Sequence, residues 1–185
     1  MAHLRLLAIV TVLTAAVTVQ ARSQGTEQAS GTLAGADQRF LSYAAEDNQA
    51  EIQLCMIAEK RAVDPALKAF ARLMLDDHAE IESRLAALAN QLKAELPDGI
   101  GSEGEQTRAK LQPLQGGAFE REFIQLQIKD HSEDLEKFSQ QVRATRNDRI
   151  RQFATETIPL LQQHLALAHA VDAQLHRTSA KAGSQ

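Results

Sequence analysis

Tryptophan is absent from this chain and tyrosine occurs once, so a core has to be built from aliphatic side chains and six phenylalanines. Cysteine also occurs once, at Cys55, which excludes an internally disulfide-stapled scaffold. A lone cysteine is ordinarily a small buried apolar residue, with an intermolecular disulfide or a soft metal ligand as the alternatives. An excess of basic charge is lacking too: 20 Lys and Arg stand against 24 Asp and Glu, a net charge of −4 over 185 residues, which leaves no basic footprint for nucleic acid. The apolar run Leu6 to Val19 contains three threonines and falls short of the roughly 20 residues that a membrane-spanning helix requires. There is no glycine-rich phosphate loop, no serine nucleophile elbow and no paired-cysteine zinc motif. No enzyme signature remains.

What is present begins with Arg5, the apolar run behind it, and the small-x-small triplet Val19-Gln20-Ala21. That order predicts a cleaved export signal over residues 1–21, hence a periplasmic or secreted protein with no stable membrane span after cleavage. Residues 22–36 are small and polar and read as a flexible leader. The folded domain is expected over 37–176, with a polar, disordered tail over 177–185.

Within the domain, alanine, leucine, glutamine and glutamate dominate, and apolar residues recur at helical spacing. Leu41 through Ala62 forms the first such stretch. Asp64-Pro65 ends it and starts the next, since Asp is a favoured N-cap and Pro is tolerated at the first helical position. The second helix carries the stripe Leu67, Phe70, Met74, His78, Ile81, Leu85, Leu88 and Leu92, and is expected to end near Glu95. A long connection over 96–117 follows, with a short helix from Glu103 to Leu111 inside it. The third long helix runs from about Ala118 to Ala144 on the stripe Ile124, Ile128, His131, Leu135, Phe138 and Val142. Asn147 caps the fourth, whose stripe includes Ile150, Phe153, Thr157, Leu160, His164, Leu167 and Val171, and Pro159 should kink it. Four long amphipathic helices predict an all-α four-helix bundle, with the long connection between helices two and three crossing its length.

Four polar residues occupy apolar stripes, one per helix: Glu51, His78, His131 and His164. At about 1.5 Å rise per residue, each lies roughly 17–24 Å from a helix end, so all four should meet near the middle, with Asn48 one turn from Glu51. Two main readings are open: a buried hydrogen-bonded network that fixes helix register, and a transition-metal site for Zn, Cu or Fe. Direct acid–base catalysis is a third. Cys55, Met74, Glu82 and Asp134 are second-tier ligand candidates by their positions on or beside the stripes. The Glu-x-x-His pairs of di-iron bundles are missing, because Leu75, Ile128 and Leu161 precede the three histidines by three. Asp76, Asp77 and Asp130 are expected to face solvent, as are His169 and His176. Leu54 and Ile57, on the outer side of the first helix, leave room for a homo-oligomer or an envelope partner.

The runs Ala50-Glu51-Ile52, Ala69-Phe70-Ala71-Arg72 through Asp77-His78, Leu114 to Phe119, His131, and Ile158-Pro159 through Leu165 resemble the domain-of-unknown-function family 4142. The resemblance spans roughly residues 37–176. It implies an exported bacterial protein with a ferritin-like helical domain, some members being assigned to the outer membrane. It carries over to Glu51, Asp77, His78, His131 and His164 and brings no established activity. The expectation is a non-catalytic envelope or stress-related protein, the alternative a metal-binding or metal-dependent redox protein.

Overall fold

The computed structural model describes residues 33–182. The expected export signal and nearly all of the polar leader lie outside the described residues. Within them the chain is all-helical: α1 (Gly35–Arg61), α2 (Pro65–Leu92), α3 (Gly101–Leu111), α4 (Gly116–Ala144) and α5 (Asp148–Ala182). The fifth, α3, is the short helix expected inside the connection, and it begins at Gly101 rather than Glu103. None is both long and apolar enough to cross a membrane among the described residues.

Local chemistry sets the helix ends. The Asp64 side chain accepts from the N–H groups of Ala66 and Leu67 at 2.8 and 3.3 Å, and Pro65 occupies the first helical position, so α2 starts there. It stops at Leu92, three residues before the expected Glu95, because Lys93 turns left-handed (φ 54°) and Ala94 N–H closes on the Ala89 carbonyl at 2.9 Å. Asn147 caps α5 through its side-chain oxygen, which accepts from Arg149 and Ile150 at 3.0 and 3.3 Å. That helix continues through Pro159, whose ring lies at an exposed position.

The side-chain pairs establish direction. Asp37 near the start of α1 meets Gln141 near the end of α4, while Glu120 near the start of α4 meets the α1–α2 turn. Arg84 on α2 pairs with Glu156 on α5, and Asp64 with Gln174, so these helices are also antiparallel. The short α3 retraces α1. Gly101 and Gly104 abut Glu46 and Ala50, and Arg61 donates to the carbonyls of Leu111 and Gln112 at 3.4 and 3.2 Å. The connection therefore crosses the length of the molecule, as expected, and delivers α4 next to the α1–α2 turn.

Two apolar clusters fill the interior. One gathers Leu54, Cys55, Leu67, Phe70, Met74, Phe119, Phe123 and Val171. The other gathers Phe40, Leu41, Ile81, Leu85, Phe138, Ile150, Phe153 and Leu161. Each buried Leu or Phe contributes roughly 1.5–3 kcal/mol by leaving water. Between the two clusters along the helices lie Asn48, Glu51, His78, Gln127, His131 and His164, all buried.

The buried face of α4 differs from the expected stripe. Ile128, Leu135 and Val142 are only half-buried, while Glu120, Gln127, Asp134 and Gln141, spaced by seven, are buried toward α1. Each has a partner there. Glu120 accepts from Val63 and Asp64 N–H, both at 2.6 Å, and Gln127 Nε2 donates to both Glu51 oxygens at 3.0 and 2.8 Å. Tyr43 donates to Asp134, and Gln141 donates to Asp37 at 2.6 Å. The α1–α4 contact is a polar seam, because seven residues bring a side chain back to nearly the same helix face.

Candidate metal centre

Three helices each bring one histidine into the polar layer. His78 comes from α2, His131 from α4 and His164 from α5. Their ring centroids are 5.8 Å (His78–His131), 5.3 Å (His78–His164) and 5.3 Å (His131–His164) apart. One ligand nitrogen from each lies within 4.8 Å of the other two. Among the described residues, no other group of three or more His, Cys, Asp or Glu side chains converges in this way.

Each ring is held from outside by one nitrogen. His78 Nδ1 meets Asn48 Oδ1 at 2.9 Å, while Asn48 Nδ2 donates to the His78 carbonyl at 3.0 Å. His131 Nδ1 donates to the Gln127 carbonyl one turn earlier, at 3.0 Å. His164 Nε2 donates to Asp77 Oδ2 at 2.9 Å. The opposite nitrogens, His78 Nε2, His131 Nε2 and His164 Nδ1, are buried and have no hydrogen-bond partner. Carbonyl, amide and carboxylate acceptors require protonated outer nitrogens, which leaves the inner lone pairs free.

Electrostatics keeps the rings neutral. Burial, then the neighbouring His131 and His164, hold His78 well below the usual imidazole range. Burial and then His164 lower His131 to about 4. His164 is also lowered by burial, against the opposing pull of Asp77. Neutral imidazoles are the form that binds metal. Ligand nitrogens around an ion at about 2.0–2.1 Å sit roughly 3.3–3.6 Å apart, so modest ring shifts would close this triangle.

Glu51 does not join the three rings. It faces Gln127, with the Cys55 sulfur 3.9 Å from one oxygen. Cys55 and Met74 lie in an apolar cluster, and Glu82 is exposed. Asp134 is buried but turned to Tyr43 and Asp47, and His169 and His176 are exposed. Asp77 departs from the solvent-facing expectation, since its side chain is only 23% exposed and bonds His164. Gln127 lies outside the expected site residues, although a polar residue one turn before a stripe histidine is a readable hint.

A solved structure of CopM in the Cu(II)-bound form has the same fold, with a TM-score of 0.63 and 20% identity, covering 75% of this chain and 96% of that one. No curated protein matches the chain. The family described as domain of unknown function (DUF4142) matches residues 22–171, and the chain belongs to it.

Proposed function

We propose that this is an exported, ferritin-like helical-bundle protein of the cell envelope that binds a transition metal ion through His78, His131 and His164. One observation carries the reading: three rings from three helices converge, with one ligand nitrogen of each within 4.8 Å of the other two, and each ring keeps one buried nitrogen without a partner while its opposite nitrogen is tethered. A purely structural network would leave three lone pairs unsatisfied, and a half-satisfied buried network is costly. An ion would satisfy all three at once. Neutral imidazoles favour Cu, Zn or Fe over Mg or Ca. Copper is the first ion to test, since the fold is shared with a protein solved with Cu(II).

The role is non-catalytic: the ion would be held, shielded from solvent, by rings that are each almost fully buried. Glu51 is outside the ligand set in this reading and supports Gln127, which carries the carbonyl that orients His131.

The test is metal analysis of protein purified from the periplasm, followed by titration of the stripped protein with Cu(I), Cu(II), Zn(II) and Fe(II). One ion per chain is expected, with a rise in Tm, since binding at 1,000 times Kd adds about 4 kcal/mol. Less than about 0.1 ion per chain with every metal ends the reading, because an intact site should fill. The polar layer would then serve register alone.

A further inference from the structure

We propose that Asp77 biases this centre toward a divalent rather than a monovalent ion, acting through His164 without touching the ion. The inference rests on the metal reading above. Two of the three imidazoles are tethered by neutral groups, the Asn48 amide and the Gln127 carbonyl. Only His164 is tethered by a carboxylate. The imidazole is fully shielded while the carboxylate is 23% exposed, so Asp77 sits at the outer edge of a neutral, water-poor pocket. Other carboxyls lie nearby, but Glu51 bonds Gln127, and Asp134 bonds Tyr43. Neither bonds a ring of the cluster.

The charge argument follows. The three rings bring no charge to the ion, so the field of Asp77 is the main local compensation. Coulomb attraction is linear in the ion's charge, so the same carboxylate favours a divalent ion twice as strongly as a monovalent one. Asp77 also selects which nitrogen faces inward: a proton held on Nε2 leaves Nδ1 as the donor on His164, against Nε2 on the other two. It is therefore a positioning residue with a charge of its own.

The variant Asp77→Asn separates these effects, because the amide oxygen still accepts from Nε2 while the charge is gone. Affinities for Cu(II) and Cu(I) are measured by competition with chelators of known strength. Outer carboxylates typically contribute 10–100-fold in affinity, so Cu(II) binding should weaken on the order of 100-fold and Cu(I) about 10-fold. The logarithmic loss for Cu(II) should be twice that for Cu(I). Asp77→Glu, which keeps the charge, should preserve the wild-type ratio of the two affinities even if both fall. Asp77→Ser serves if the Asn variant does not fold, and should also lose more Cu(II) than Cu(I) affinity. Equal losses for the two ions, or none, overturn the proposal while leaving the three-histidine centre standing. A wild-type protein that binds neither ion removes the centre itself, and this proposal with it.

Discussion

Asn48 holds His78 at two points, its amide oxygen on the ring Nδ1 at 2.9 Å and its amide nitrogen on the backbone carbonyl at 3.0 Å. One side chain of α1 thus fixes both the height of α2 and the rotation of the ring. Asn48→Leu should leave the ring's Nδ1 buried without an acceptor, destabilising the fold by about 1–3 kcal/mol. Metal affinity should fall by roughly 10–100-fold. Thermal unfolding with and without metal checks both, and an unchanged affinity would detach Asn48 from the site.

Replacing a member of the cluster should behave differently. His131→Leu removes an unpartnered buried nitrogen and keeps the volume close. The stripped protein should change in stability by no more than about 1 kcal/mol, in either direction. Binding should be lost. A loss above about 3 kcal/mol in the stripped variant would indicate a structural network instead.

The seam predicts an alkaline weakening. The Glu51 carboxyl is pushed up to about 8 from its ordinary 4.5, first by burial, then by the charge of Asp130, against hydrogen bonds from Gln127. Asp134 is raised to about 6 from 3.8, again first by burial. The folded chain keeps these protons at a pH where the unfolded chain has released them. The stability these two carboxyls contribute is therefore full below about pH 4 and is lost as pH rises through 6 and 8. The three buried neutral histidines act oppositely, losing stability as pH falls below about 6.5, so the net alkaline loss lies between about 6.5 and 8. The loss should be a few kcal/mol, and Glu51→Gln should remove the part between about 6 and 8. Denaturant unfolding across this range, with chelator present, would expose a flat profile if the carboxyls were already ionised in the fold.

The crossover helix depends on a close approach. A Cβ on Gly104 would sit 2.8 Å from the Ala50 Cβ and 2.9 Å from the Ile100 Cβ. Gly104→Ala should cost about 1–3 kcal/mol through overpacking, more than helix propensity returns. Gly117→Ala, which meets only the flexible end of Arg121, is the control and should be close to neutral. Equal effects would mean that α3 is not packed on α1 as described.

Helix positions, the Asp64-Pro65 start, the Asn147 cap and the three stripe histidines were all legible from spacing and capping chemistry. A side chain's place along its helix is a local property, and mid-helix residues on long antiparallel helices are brought to one level by length alone. Partners across helices were less legible. Asp77 read as a solvated neighbour of His78, because rotation about one helix says nothing of what the next helix offers. The buried face of α4 departs from the apolar stripe for a related reason: Ile124, His131 and Phe138 of the stripe are buried, but apolar spacing selects Ile128 and Leu135 where packing against polar α1 selects Gln127 and Asp134.

The amino-acid order alone determined an all-helical chain with an aliphatic core and three histidines set into apolar faces. Only the tertiary structure decided which nitrogen of each ring is tethered and which is free, and that Glu51 turns to Gln127 while Asp77 turns to His164. The reason is physical. Periodicity fixes a residue's angle about its own axis, whereas hydrogen-bond partnership depends on the relative rotation and height of two axes, and these are set by how the whole core packs.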